Sequence, residues 1–183
     1  MSNLREALRR VITGNAEGRS VVILDGGPSS EVGSLEAGGL FEIWEDASTG
    51  SLDPRDHADL GADRPVLGPR SGNVQARWFV VAPTPEGASK AELDAAARAA
   101  FSSFDGERHI IDQSRHPAMH ETHSLDVICL LRGDASLILE NGETRLKPGQ
   151  VVIQRGTNHA WRAHGGPALF LAVLIDRDLH ASP

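Results

Sequence analysis

The sequence predicts an antiparallel all-β sandwich or barrel with one helix. Between residues 119 and 175, short apolar segments alternate with turn residues at the spacing of successive β-strands. The pair Asn141-Gly142 is a strong hairpin signal, and Pro148-Gly149 indicates a turn before another strand. Only one segment of the chain has a clear helical period.

The first third of the chain is less regular. Residues 1–12 suit either a short helix or a strand, and the segments 20–26 and 41–46 predict strands. Residues 47–75 are rich in Asp, Gly, Pro and Ser without a period, which predicts a long surface loop. A further strand is expected at 77–83, where a proline closes it.

The helical segment begins at Ser89, which forms a capping box with Glu92. Gly106 is the expected stop. The apolar residues that share one helical face are Leu93, Ala97, Ala100, Phe101 and Phe104. Two placements are compatible with this pattern: a helix packed on the outside of a sheet, or a lid over a cavity mouth.

Composition limits the classes of partner. A chain of 183 residues is long enough for one domain with a real core. Its net charge of −7 disfavours nucleic acid and anionic membranes as partners. No signal peptide is evident, and the longest apolar run, 168–175, is too short to span a bilayer. The single cysteine, Cys129, fits a reducing compartment, so we expect a cytoplasmic protein.

Two predicted strands, 127–131 and 168–175, are apolar on both faces. In an antiparallel sheet, this requires cover on the outer face as well. The N-terminal strands, the helix or a second subunit could provide that cover, and we expect a homodimer.

The opening of the strand-rich region carries a recognisable motif. The spacing His120-x-Thr122-x3-Asp126-x6-Gly133 resembles the first conserved motif of the cupins, which are small double-sheet barrels of the jelly-roll type. Thr122 stands where the second histidine of that motif would be, and Asp126 replaces its glutamate.

A second motif follows at the expected distance. The spacing Gln154-x-Gly156-x2-His159 resembles the later part of the second cupin motif, with Gln154 in place of proline and Ala163 in place of asparagine. The segments MHETHSLD and VVIQRGTNHAWRA also resemble a subfamily of small cupins that share an M-H-x-T-x-(S/T)-x-D motif and a Q-R-G-T-x-H-A-W motif.

The resemblance implies a cupin double-stranded β-helix barrel with N-terminal strands and one inserted helix. It further implies a single domain over residues 1–183, with a barrel core at about 76–175 and an N-terminal arm at 1–75. Cupins include dioxygenases, decarboxylases, isomerases and non-catalytic binding proteins, so the resemblance alone assigns no reaction.

Strand alternation places the candidate metal ligands. Residues two apart on a strand share a face, so His120, Thr122 and Asp126 should face the barrel interior together, and His159 should do so with Trp161. Two imidazoles and a carboxylate suit a divalent transition metal such as Fe, Mn, Ni or Zn. We therefore expect a metal site formed by His120, Asp126 and His159.

The alternative is a metal-free pocket in which the two histidines hydrogen-bond Asp126. His123 should face outward by alternation, yet it or Gln154 could complete a metal site if a bulge intervenes. Trp161 is expected either to line the pocket or to fill the core. The expected ligand-binding residues are His116, at the cavity rim, and Thr122, Gln154 and Trp161. The histidines expected to be exposed are His57, His109, His164 and His180.

Two functions follow from these expectations. The first is a metal-dependent enzyme of dioxygenase, decarboxylase or isomerase type that acts on a small, largely apolar or aromatic molecule. The second is a metal-free small-molecule binding or sensor protein without catalysis.

Overall fold

The computed structural model describes residues 4–179, which are mostly β-structure with one α-helix. The strands are β1 (Arg10–Ala16), β2 (Arg19–Gly26), β3 (Glu31–Ser34), β4 (Gly38–Ala47), β5 (Asn73–Val81), β6 (Ser124–Arg132), β7 (Ala135–Leu139), β8 (Gly142–Leu146), β9 (Val151–Arg155), β10 (His159–Ala163) and β11 (Ala168–Asp176). The helix α1 spans Lys90–Ser103, and short 3-10 turns lie at Leu4–Ala7, Leu60–Ala62 and Glu107–His109.

The strands form three antiparallel sheets. The hairpin β1-β2 stands by itself, a three-stranded sheet has the order β10-β7-β8, and a six-stranded sheet has the order β3-β4-β5-β11-β6-β9. One apolar cluster contains buried side chains from β6 and β11 of the larger sheet and from β7, β8 and β10 of the smaller one. The two sheets therefore pack against each other around a shared core, as the all-β prediction requires.

Aromatic rings form the middle of this core. Phe79 stacks on Phe170 with ring centroids 4.5 Å apart, and the indole of Trp161 lies 4.8 Å from Phe170. These rings join β5 and β11 of one sheet to β10 of the other, so they hold the two sheets together.

Both turn predictions are confirmed. Glu140 and Asn141 connect β7 to β8, whose first residue, Gly142, has a φ of 127°, and Gly149 has a φ of 86° before β9. These are backbone angles that glycine adopts without the steric cost of a Cβ atom.

The helix begins as predicted and ends differently. Ser89 caps it, and the reciprocal bonds of the capping box with Glu92 are both present. The left-handed residue after the helix is Asp105, at φ 53°, whereas Gly106 has a φ of −88°. A Cβ atom on Gly106 would lie 2.7 Å from the ring of Phe101, so this glycine is required for close packing and not for its φ angle.

Strands β3 and β4, which precede residue 76, belong to the six-stranded sheet. Strand β4 pairs with β5 over its length, so the expected boundary between arm and core falls inside β5. The segment between β4 and β5 is irregular, as predicted, but it is not purely a surface loop. Pro65, Leu67 and Gly68 are buried, and the Leu67 backbone N–H donates to the Phe104 carbonyl at 3.0 Å.

The outer face of the six-stranded sheet is covered only in part. Near the N-terminus, Leu8 packs with Phe41, Trp78 and Leu169 in a second apolar cluster. Farther along the sheet, three neighbouring apolar side chains stay exposed: Val127 at 40%, Val151 at 53% and Ile153 at 55%. Within residues 4–179, no helix has the length and apolarity that a membrane crossing would need.

Candidate functional site

A cavity of about 360 Å³ lies between the two sheets and extends to the end of α1. Most of its lining is apolar or aromatic. The polar and ionisable side chains that line it are Arg77, Ser103, His120, Thr122, Asp126 and His159. The interior therefore combines an apolar volume with one small polar region, which is the usual composition of a small-molecule site.

His120 and His159 meet at this polar region. Each backbone N–H donates to the carbonyl of the other residue at 2.9 Å, and the ring centroids are 4.4 Å apart. The Nδ1 atom of His120 lies 3.0 Å from the Ala118 carbonyl, and that of His159 lies 2.9 Å from the Thr157 carbonyl. When each Nδ1–H donates to its carbonyl, Nε2 carries the free lone pair.

Both imidazoles are neutral at physiological pH. Burial lowers the pKa of His120 to about 3, with a further contribution from the neighbouring His159. Burial also lowers the pKa of His159 to about 4, although the hydrogen bond to Thr157 acts in the opposite direction. Neutral imidazoles can ligate a metal, whereas pKa values this far below 7 make both rings weak proton acceptors.

Gln154 holds the turn that precedes His159. Its side-chain amide donates to the Thr157 carbonyl at 2.9 Å and also bonds the Thr157 hydroxyl. The same carbonyl is the partner of His159 Nδ1. Gln154 is buried, as its place on the strand predicts, but it does not line the cavity. It therefore acts on the site through Thr157.

Asp126 lies on the cavity wall beside two hydroxyls. Ser124 donates to the Thr122 hydroxyl oxygen at 2.9 Å, and all three residues are buried. Burial raises the pKa of Asp126 to about 6, while Ser124, Arg77 and Thr122 act to lower it. One carboxylate oxygen, Oδ1, is buried without a hydrogen-bond partner.

Two charged residues at the site, Arg77 and Glu42, lie on strands for which the sequence predicted no functional residue. Arg77 of β5 lines the cavity and lies 3.0 Å from the Glu42 carboxylate of β4, and it also donates to the Val66 carbonyl. Burial raises the pKa of Glu42 to about 7 despite this pairing. The available signal was a charged residue inside each apolar strand, but its inward direction depends on the sheet register.

The candidate metal ligands are only partly brought together. His120 and His159 are adjacent, and Asp126 lines the same cavity. Within residues 4–179, however, no group of three or more His, Cys, Asp or Glu side chains is placed to hold a metal ion. The two imidazoles fit a metal, whereas the carboxylate does not complete a three-ligand group with them.

The remaining histidines lie outside the cavity. His123 is exposed, in agreement with strand alternation, and His116 is half-buried near Arg162 and Glu143 and does not line the cavity.

Of the histidines expected to be exposed, His57 is exposed, but the expectation was wrong for two others. His109 is half-buried because it bonds the Glu121 carbonyl, and His164 is half-buried because it bonds Ser136. His180 lies outside the described residues.

Aromatic rings continue from the core to the cavity mouth. The ring of Phe101, on the last turn of α1, lies 5.2 Å from His120 in an edge-to-face arrangement. On the other side, Trp161 lies 5.9 Å from His159 and 6.0 Å from Phe79. Trp161 lines the cavity, and the end of α1 covers it. This position agrees with a lid and not with a helix on the outside of a sheet.

No family model matches the chain. Two curated proteins of Diaporthe leptostromiformis, the phomopsin biosynthesis cluster proteins C′ and D, are each 53% identical to it over 66 residues. Each match covers 36% of this chain and 34% of the relative. The oryzines biosynthesis cluster protein J of Aspergillus oryzae is 47% identical over 47 residues, 25% of this chain and 26% of the relative. The chain thus spans about a third or less of the length of these relatives.

Solved structures with a similar arrangement include cupins. A cupin superfamily protein from Desulfitobacterium hafniense has a TM-score of 0.35 at 14% identity, covering 56% of this chain and 67% of that one. The cupin domain of a transcriptional regulator from Enterobacter cloacae has a TM-score of 0.34 at 15% identity, covering 56% of this chain and 80% of that one. Likenesses at this level carry no information about activity.

Proposed function

We propose that this chain is a cupin-type protein whose cavity binds a small, largely apolar or aromatic organic molecule as ligand or substrate. The observation that carries the proposal is the cavity itself, in which an aromatic wall faces two neutral histidines. Such a cavity suits an organic molecule that places one polar group beside the imidazoles. The fungal relatives support a role for that molecule in the biosynthesis of a secondary metabolite.

A set of small aromatic compounds tests this proposal by calorimetry and thermal shift. Trp161→Leu should weaken the binding of any compound found by about tenfold, because the indole lines the cavity. The matched control is Trp44→Leu, since Trp44 does not line the cavity. Equal losses in both variants, or no binding by any member of the set, would contradict the proposal.

A metal-dependent enzyme is the second candidate, and the pair of imidazoles favours it. His120 and His159 would hold a divalent metal through Nε2, and Asp126, which lines the same cavity, is the expected third ligand. The metal would supply Lewis-acid or dioxygen chemistry. The protein would hold the two rings in one tautomer through the Ala118 and Thr157 carbonyls.

Elemental analysis of protein purified without chelator tests this second candidate. His120→Ala should lower metal content by at least about tenfold, whereas His123→Ala, at an exposed position, should leave it unchanged. Metal content that is equal in the wild type and the His120→Ala variant would rule out a metal at this pair.

We also propose that the chain forms a homodimer through the exposed face of β6 and β9. Val127 pairs with Ile153 in the strand register, and Val151 lies beside them, so the three side chains form one continuous apolar area. A second copy of the same face is the occupant that this patch fits, since an identical apolar surface is self-complementary about a two-fold axis.

A further inference from the structure

The cavity has a buried end and an open end. Most of its lining residues are buried or half-buried, and those at the polar region include Thr122 and His159. Among residues 4–179, the exposed residues that line the cavity belong to two elements, the β3-β4 hairpin and the last turn of α1. They are Gly33, Ala37, Ala100 and Ser103. The mouth of the cavity therefore lies between this hairpin and the end of α1.

Small residues keep this mouth open. On the hairpin side, Gly33 and Gly39 lie opposite each other in the strand register. A Cβ atom on Gly33 would lie 2.3 Å from the Gly38 carbonyl oxygen, and one on Gly39 would lie 2.4 Å from that of Val32. This close approach of the two strands excludes side chains at both positions, so main-chain atoms form this part of the mouth. The two exposed lining residues on the helix side also have short side chains.

The cavity is longer than a single aromatic ring. Strand β5 lines it from Arg77 to Val81, and each residue of an extended strand rises about 3.3 Å, so this wall is about 13 Å long. Arg77 is buried, whereas Val80 pairs with Gly39 of the hairpin at the mouth. A lone ring with its polar group beside the two imidazoles would fill the buried end and leave the part toward the mouth empty.

The wall between the two ends is apolar. The residues of β4 and β5 that line the cavity beyond Arg77, and the residue that follows β5, have no ionisable side chain. They are Gly38, Gly39, Leu40, Phe79, Val80, Val81 and Ala82. A hydrocarbon chain lying along this wall would leave water for an apolar surface, which is favourable for each methylene group that is buried.

We propose that the ligand of this cavity is an elongated amphipathic molecule, with a polar aromatic head at the buried end and an apolar chain along β5. The chain leaves the protein between the β3-β4 hairpin and the end of α1. Ala37 and Ala100, on opposite sides of the mouth, then determine which chains can pass. This inference rests on the proposed function, because it specifies the class of molecule bound at that site.

A series of phenols with one head and chains of increasing length tests the inference. The compounds are para-methylphenol, para-propylphenol and para-hexylphenol, titrated calorimetrically into the full chain. Affinity should rise by about threefold for each methylene group that is buried, so the hexyl compound should bind at least about thirtyfold more tightly than the methyl compound.

Variants at the mouth separate this route from non-specific binding of the chain. Ala100→Glu should weaken para-hexylphenol by about tenfold, because the chain would displace water from a carboxylate, and should leave para-methylphenol within about twofold. Ala37→Glu, on the hairpin side, should have the same effect and decides the test if Ala100→Glu does not fold. Ala99→Glu is the matched control, since Ala99 is exposed on the same helix turn and does not line the cavity. It should change neither affinity by more than about twofold.

A rise in affinity with chain length that the variants at the mouth remove, and the control does not, supports the inference. Equal binding of the short and long phenols overturns the inference and leaves the proposed function standing. A rise that Ala37→Glu and Ala100→Glu leave intact, or that Ala99→Glu removes equally, also overturns it, because the chain then lies elsewhere. If no phenol binds while another small aromatic compound does, the inference alone fails. If no aromatic compound binds, the proposed function fails together with it.

Discussion

The backbones of His120 and His159 exchange two hydrogen bonds of 2.9 Å, and this bridge holds their rings 4.4 Å apart. The two residues are 39 positions apart in the sequence, and the bridge joins the segment before β6 to the start of β10. The site therefore depends on the closure of the sandwich at this end, and changes that loosen either segment should affect both rings.

Glu42 should make stability depend on pH. Its pKa is about 7 in the folded protein and close to 4.5 when unfolded, so between these values the folded state holds a proton that the unfolded state has released. The contribution of Glu42 to the free energy of unfolding should therefore fall as the pH rises through this range, by up to roughly 1.4 kcal/mol per pH unit. Urea unfolding of the wild type and Glu42→Gln at pH 5, 6 and 7 checks this. Parallel pH curves for the two proteins would show that Glu42 is not protonated when folded.

Gln154→Leu should destabilise the turn that carries His159. The change removes a buried amide with two bonds to Thr157 and leaves a carbonyl with one partner fewer, so we expect a loss of about 1–3 kcal/mol in the free energy of unfolding. The affinity of the cavity for small aromatic compounds should fall as well. Gln150→Leu, whose side chain bonds only the exposed Lys147 backbone, serves as the control and should cost less than about 1 kcal/mol. Similar losses in both variants would argue against a special role for Gln154.

Phe101→Ala should open the cavity. Phe101 is the buried residue of α1, and its ring packs against His120. Loss of the ring should lower the free energy of unfolding by about 3 kcal/mol. It should also weaken the binding of small aromatic compounds, because the end of the helix would no longer cover the site. Ala95→Ser, at an exposed position of the same helix, should change neither quantity. An unchanged affinity of the Phe101→Ala variant for these aromatic compounds would show that α1 is not a lid.

Ile153→Lys should produce a monomer. The side chain is 55% exposed at the centre of the apolar patch, and a charge there would not be tolerated in a closely packed dimer. Sedimentation of the wild type at micromolar concentration should give twice the chain mass of 19.5 kDa, and the variant should sediment at the chain mass. Leu52→Lys, on an exposed loop, should remain dimeric. A monomeric wild type would contradict the dimer proposal.

The sequence predicts those structural features that depend on residues close together in the chain. The β7-β8 hairpin, which contains Asn141 and Gly142, and the Ser89 cap are set by local geometry, so both are present in the structure. Alternation likewise places His123 outside and Thr122 and Asp126 inside.

Features that depend on the pairing of strands far apart in the sequence are not predicted. Glu42 and Glu45 both face inward although they are three residues apart, because the register of β4 against β5 shifts between Glu42 and Trp44. No pattern in the local sequence predicts this shift in register. The pairing of Arg77 with Glu42 becomes visible only in the folded sheet.

The most direct test of the central claim is the crystal structure of the protein soaked with a brominated aromatic probe, taken from the set of small aromatic compounds. The anomalous signal of bromine locates the probe without reference to any assumed binding mode. We expect a peak inside the cavity, between Trp161 and the pair of His120 and His159. A peak found only on the outer sheet face near Val127 and Ile153, with the cavity empty of probe, would contradict it.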